Sequence, residues 1–568
     1  MSLKESLIKM EAHNSIFENA IRSLEIPTCA VFGKGENLSP VSFTEASDTI
    51  STKDSAKVAE SFPQTSSASK NKVLSASGTN ASPLKGKRVA VLFSGGPAAG
   101  GHNVVYGLRK ILGKDNTLLG VKAGPKGLLE GKLFEITDEA VAKVRNTGGF
   151  DFLGSDRTKI KTDEQFAKVK KTCVDNKLDA IVVIGGDDSN TNAAVLAELL
   201  FSGVKADGSG VQVIGCPKTI DGDLQIGDLL PISFGFDTAT KIYAELAGNI
   251  LQDTPSSRKY WHFIKLMGRS ASHVALEVAM QVKPPVALIS EEVSEKKMPL
   301  SKIVDDIAKV VIDRSKNGMN YGAVLIPEGI IEFIPEMNTL IAELNDKLAS
   351  VEAEISKMTA EEKRPFVIGK LSSEHQKLMN SLPVYIVDML LAERDSHGNL
   401  QVSLIPTEKL FIDMVAKRVK ELDSTVPFAT LNHFFGYEGR CGAPTLFDAA
   451  YCYNLGLTAG SLILSGKTGY IASVSDLDKG GKPIGIPLTG LLNIERRHGK
   501  DEFVIEKALV KTDSEAFKYF AERRAEWAKA DVFASSGPRQ LWGPAAKQIP
   551  VTVALNRKYS SLGFNFGE

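Results

Sequence analysis

From Arg88 onward the chain alternates short β-rich apolar runs with helix-like segments, and no other feature restricts the fold as much. RVAVLF, TLLGVKAG, LDAIVVIGG, VQVIGCP and WHFIKLMG are mostly separated by stretches such as NVVYGLRKILG and TNAAVLAELLFSG. Strands that follow one another through helices pair in parallel, and their carboxyl ends gather the ligand loops. VALIS, YGAVLIPEG and a long helical stretch form a second set, and the later ATLNHFFGYEG, NLGLTAGSLILSG and TGYIASVS then complete the sheets. The class expected is α/β. At 568 residues the chain is too long for one hydrophobic core, so two or three domains are expected.

Three segments read differently. Residues 37–86 are dense in Ser, Thr, Ala, Lys and Gly. That composition buries too little apolar surface to order well, and a mobile linker or loose extension is expected. Ahead of it, SLKESLIKMEAHNSIFENAIRSLEI has helical spacing. Residues 335–400 look like a helical insertion. Leu344, Leu348, Val351, Ile355 and Met358 mark one helix face, and Thr359-Ala360-Glu361-Glu362 fits a capping box.

Charge and composition exclude several functions. Lys+Arg and Asp+Glu are equal at 68 each, so no global basic field draws in nucleic acid or anionic lipid. No run approaches the roughly 20 apolar residues of a membrane helix, and MSLKESLIKMEAHNSIF lacks the apolar stretch of a secretory signal. Cys29, Cys173, Cys216, Cys441 and Cys452 are scattered without CxxC spacing. A reduced cytoplasmic compartment fits, with these thiols as packing residues and no zinc site. GSLILSGKT imitates a nucleotide-binding loop but has five residues between its glycines where that loop requires four. A helix ending at Gly466 is the better reading. No GxGxxG opens the first strand, and His102, His262, His273 and His433 form no metal pattern and read as structural groups.

Four groups of turns remain. Ser94-Gly95-Gly96-Pro97-Ala98-Ala99-Gly100-Gly101-His102-Asn103 follows a strand and precedes a helix, so its backbone N–H groups can approach an anion. In Gly185-Gly186-Asp187-Asp188-Ser189-Asn190-Thr191, Asp187 could hold a Mg²⁺ that bridges a polyphosphate. Equally, both aspartates could cap a helix starting near Asn190. Cys216-Pro217-Lys218-Thr219-Ile220-Asp221-Gly222-Asp223-Leu224 places a cation, a hydroxyl and two carboxylates on one loop. There Asp221 could accept the proton of an attacking alcohol while Lys218 neutralises a departing phosphate. Met267-Gly268-Arg269, Pro327-Glu328-Gly329 and Tyr437-Glu438-Gly439-Arg440 add groups suited to phosphate monoesters and sugar hydroxyls.

Taken together, GGPAAGGHN, GGDDSNT, PKTIDGDL, MGRSASH, PEGI and GYEGR resemble the phosphofructokinases in order and approximate spacing, from about Arg88 to Ile494. Length, insertion and extended ends look like the long-chain pyrophosphate-dependent group. The resemblance implies two Rossmann-like three-layer α/β/α domains with a helical insertion and N- and C-terminal extensions. Residues 87–232 plus 439–490 would bind diphosphate and Mg²⁺, and 233–438 would bind fructose 6-phosphate. Residues 1–86 and 491–568 would be extensions. It also implies reversible phosphoryl transfer from diphosphate to the 1-hydroxyl of fructose 6-phosphate, with Mg²⁺ as cofactor.

By that resemblance Asp221 is the base, Asp187 the metal-associated aspartate, and Gly95 and Gly96 the donor loop. Arg157 lies near the transferred phosphate. Thr219, Ile220, Met267, Gly268, Arg269, Glu328, Tyr437, Glu438, Gly439 and Arg440 match the sugar-phosphate site. Lys259-Tyr260 match residues that reach a neighbouring subunit's site, which implies a homodimer or homotetramer. ATP-using relatives carry glycine where Asp188 and Lys218 stand, so this pair implies a diphosphate donor, Asp188 repelling the α-phosphate of ATP. An ATP-dependent 6-phosphofructokinase and a non-catalytic regulatory subunit are the alternatives. An NAD or lipid kinase sharing the GGD turn would lack the MGR, PEG and GYEGR groups.

Overall fold

Where β-branched and aromatic residues cluster between glycine turns, strands form. The first eight are β1 (Val41–Thr49), β2 (Lys72–Thr79), β3 (Arg88–Ser94), β4 (Thr117–Val121), β5 (Leu133–Glu135), β6 (Ser155–Asp156), β7 (Ala180–Gly185) and β8 (Gln212–Pro217). Next come β9 (Trp261–Leu266), β10 (Val286–Ala287), β11 (Gly322–Pro327) and β12 (Thr430–Phe435). The last four are β13 (Tyr470–Ser475), β14 (Lys482–Pro487), β15 (Leu492–Arg497) and β16 (Lys500–Ile505). This computed structural model describes residues 21–568 apart from 36, 357, 393–403, 498–499, 534–546 and 567–568. The described residues of 1–239, 437–508 and 539–568 form one compact unit, and those of 240–436 and 509–538 another.

The first unit is built on a sheet of order β1-β2-β14-β13-β8-β7-β3-β4-β5, with β6 on β3. Its centre, β13-β8-β7-β3-β4, is parallel. β7 and β13 are buried along their whole length, and β3 and β8 beyond their first residue. A parallel sheet buried on both faces shows such unbroken apolar runs. From β3 the chain turns to β4 on one side and later to β7 on the other. The carboxyl ends of β3 and β7 therefore flank a topological switch point, where open α/β sheets bind ligands.

Residues 37–86 overturn the linker expectation. β1 and β2 pair antiparallel, and β2 joins β14, while the Ser55–Ser61 and Pro63–Ser69 helices connect them. Val41, Phe43, Val58, Phe62, Val73 and Leu74 are buried. A few apolar residues suffice because they extend an existing core, whereas composition measures only whether a segment orders alone.

The second unit holds the parallel sheet β10-β11-β9-β12. Of VALIS only Val286–Ala287 pairs as a strand. The insertion is helical, over Pro335–Ser350, Glu352–Ile355, Ala360–Ile368, Ser373–Ser381 and Val384–Leu390. Leu344, Leu348 and Val351 are buried in this unit and Ile355 packs half-buried against the same core, although the first helix ends at Ser350 with Val351 as its cap. Thr359 and Glu362 form the expected capping box. Residues 393–400 of the insertion, and residues 2–20 of the expected N-terminal helix, lie outside the described residues.

The phosphate-loop imitation is indeed a helix end. The Leu446–Leu464 helix stops at Ser465, Gly466 takes φ 71°, and Lys467 N–H donates to Leu462 O at 2.9 Å. The five cysteines are free thiols; four are buried, but Cys441 is exposed, so the packing reading fails there. His102 pairs with Thr147 and His262 with His433. Among the described residues no helix is long and apolar enough to cross a membrane.

Candidate active site

Three loops of the first unit leave its sheet side by side, because β3, β7 and β8 pair in parallel register. The first turns at Gly95, whose φ of 85° suits only glycine. A Cβ on Gly95 would lie 3.2 Å from Lys218 Nζ. One on Gly96 would lie 3.0 Å from Arg440 Nη1 and 3.4 Å from Arg157 Nη2. Lys218 donates to Gly96 O at 2.9 Å, and Arg440 to Pro97 O at 3.3 Å. Three cations from three separate segments, two loops and a short helix, thus surround one glycine turn. Arg157 reaches it because β6 pairs with β3 and Gly95 N–H donates to Asp156 O at 2.9 Å. Lys218 is buried, and burial, then Arg440, pushes its pKa down to about 8.

Carboxylates occupy the other side. The Asp187–Leu199 helix starts at Asp187, with Gly186 at its cap position and both aspartates in its first turn, where backbone N–H groups of Asp187 and Asp188 hydrogen-bond the Asp187 carboxylate. Asn190 donates to Gly185 O and Gly186 O. Asp187 is 19% exposed and Asp188 63%, with Asp188 3.9 Å from Lys159. Burial raises the Asp187 pKa, opposed by Lys507. On the third loop Asp221 N–H donates to Thr219 Oγ1 at 3.1 Å. Asp221 Oδ1 is buried without a hydrogen-bond partner, an acceptor ready for a hydroxyl proton. Ile220 and Asp223 are buried beside it, and burial, then Asp221, holds Asp223 well above the usual carboxylate range.

Two groups here escaped sequence reading. Lys507 Nζ lies 3.9 Å from both Asp187 and Asp223. Lys159 lies between Asp188 and Glu502 of β16, at 3.9 and 3.3 Å. Neither belongs to a motif, and no local signal marks EFVIEKAL. Tyr437, Glu438, Gly439 and Arg440 fall in the short Tyr437–Cys441 helix of this unit, with Tyr437 and Glu438 exposed and Gly439 buried.

The remaining expected residues lie in the second unit. Met267, Gly268 and Arg269 follow β9, and Glu328 follows β11, its parallel neighbour. Glu328 is buried and accepts from Gly268 N–H at 2.9 Å, leaving its Oε1 without a partner. A Cβ on Gly329 would lie 1.9 Å from Arg269 O, so glycine lets these two turns meet. Arg269 pairs with Glu332 at 3.6 Å. Tyr260 has φ 74°, an unusual conformation for a bulky residue. Lys259 Nζ sits 4.9 Å over its ring.

Such a site defines the class of α/β proteins that hold phosphate groups at a sheet's switch point. Residues 88–463 match the phosphofructokinase family profile, and the chain belongs to that family. It is 50% identical over 470 residues to the pyrophosphate--fructose 6-phosphate 1-phosphotransferase of Porphyromonas gingivalis, covering 80% of this chain and 84% of that one. The Entamoeba histolytica protein of the same name is 49% identical over 475 residues, covering 82% and 86%. The fold also matches the crystal structure of a pyrophosphate-dependent phosphofructokinase from Nitrosospira multiformis, with a TM-score of 0.51 at 17% identity over 79% of this chain and 93% of that one.

Proposed function

We propose that the chain transfers a phosphoryl group reversibly from diphosphate to the 1-hydroxyl of fructose 6-phosphate, giving fructose 1,6-bisphosphate and phosphate. The observation that carries this reading is Lys218, buried and within reach of Gly95, Gly96, Arg157 and Arg440. A leaving phosphate without an adenosine anchor needs fixed positive charge at that point. The relatives' names point the same way.

In the forward reaction Asp221 takes the proton of the sugar 1-hydroxyl. The hydroxyl oxygen bonds to the nearer phosphorus, and the bond from that phosphorus to the bridging oxygen breaks. Lys218 neutralises the departing phosphate, while Arg157 and Arg440 hold the transferred group. Gly95 and Gly96 let backbone N–H groups approach the donor. Asp188 projects into water from the helix start and repels a nucleotide phosphate. Met267, Gly268, Arg269 and Glu328 bind the sugar phosphate, with Thr219, Ile220, Tyr437, Glu438 and Gly439 as further contacts.

Mg²⁺ fits the donor half. Asp187 and Asp223 converge on one ammonium, and magnesium on a diphosphate needs only one or two carboxylates. When bound there, the ion would supply charge neutralisation for the transferred phosphoryl group. Lys259 and Tyr260 are proposed to act in a neighbouring copy, in a homodimer or homotetramer located in the cytoplasm. Steady-state assays with diphosphate and with ATP test the reading. Strong preference for diphosphate, reduced in the Asp188→Gly/Lys218→Gly protein, is expected. Equal use of ATP, or no turnover with either donor, overturns it.

A further inference from the structure

Lys507 lies outside every motif, yet the fold carries it to the acidic side of the donor half. The β15–β16 hairpin packs along the Asp187–Leu199 helix, and Ile505 N–H donates to Thr191 Oγ1 of that helix at 3.1 Å. Three residues later Ala508 N–H donates to Asp223 O at 2.7 Å. Glu506 and Lys507 are therefore fastened at one end to the helix that bears Asp187, and at the other to the loop that bears Asp223. The ammonium between them lies 3.9 Å from each carboxylate. Asp188 and Asp221 also act on it electrostatically. Two largely buried carboxylates drawn to one point repel each other unless a cation is shared between them.

We infer that Lys507 is a positioning residue for the donor half: it is the resident counter-cation of the Asp187–Asp223 pair, and it sets how strongly that pair attracts a divalent cation and a diphosphate. The inference rests on the donor-half reading above. Its signature is a pair of opposite effects. Removing one positive charge makes the local field more negative, so a free cation binds more tightly and an anionic substrate less tightly. Loss of structure would weaken both.

The test uses the full-length protein with Lys507→Met and Lys507→Arg. Mn²⁺ binding is followed by electron paramagnetic resonance without substrates, and KM is measured for both substrates. Lys507→Met is expected to bind Mn²⁺ about tenfold more tightly (~1.4 kcal/mol). Its KM for diphosphate should rise by about as much, with the KM for fructose 6-phosphate within about twofold. Lys507→Arg should restore both values. Mn²⁺ affinity that is unchanged, weaker, or undetectable in both proteins overturns the inference, as does a parallel rise of both KM values. Where circular dichroism shows Lys507→Met to be unfolded, Lys507→Gln takes its place under the same criteria. The Mn²⁺ isotherms contain no donor, so they decide the role of Lys507 even if ATP proves to be the substrate.

Discussion

Replacing Lys218 with methionine should abolish most activity while making the protein more stable. Lys218 is 5% exposed, and burial followed by Arg440 pushes its pKa from the ordinary 10.5 to about 8. At about 1.4 kcal/mol per pKa unit, holding this lysine charged costs on the order of 3 kcal/mol. Methionine removes that cost but also removes the bond to Gly96 O, worth about 1.5–3 kcal/mol for a charged donor. The net gain expected at pH 7 is about 1 kcal/mol. The folded pKa lies below the unfolded value, so the unfolded chain binds more protons between about pH 8 and 10.5. Wild-type stability therefore rises across that window, whereas the variant lacks this slope. Urea unfolding at pH 7 and 9.5 should show the variant's advantage shrinking and then reversing as the pH rises. Loss of one fixed transition-state donor should lower kcat about 10²–10³-fold. A variant that is less stable at pH 7, or that keeps wild-type kcat with diphosphate, refutes the reasoning.

Asp221→Asn should lower kcat by about 10²–10⁴ with little change in either KM, since the amide keeps the shape but cannot take a proton; near-normal kcat in stopped-flow turnover would displace the base. Gly329→Ala puts a Cβ 1.9 Å from Arg269 O, so it should raise the KM for fructose 6-phosphate by about tenfold while sparing that for diphosphate. His262 is pushed down to about 4 by burial and by His433, and His433 is lowered by burial. The pair is neutral in the fold and takes up protons on unfolding, so stability should fall as the pH drops from about 6.5 towards 4. A His262→Leu/His433→Leu protein should show a flatter acid limb in pH-dependent denaturation.

The alternation from Arg88 onward was enough to read the α/β class, because strand and helix periodicities are local properties. The turns after β3, β7 and β8 were legible for the same reason: each carries its glycines, aspartates or lysine within a few residues. Thr359 and Gly466 were equally readable, since caps act over one helical turn. The order of residues 37–86 is not legible locally, because β2 is held by β14, a strand roughly 400 residues away, and β1 pairs with β2. Lys218 was visible as a charge beside a strand, but not its company. Arg157 arrives through β6, and Arg440 from a helix more than 200 residues later. Lys507 left no trace at all. What the sequence determined by itself was which short loops could hold phosphate and which residue could act as a base. What only the tertiary structure decided was the electrostatic setting of those groups, since charges act through space and the fold alone sets their separation and burial.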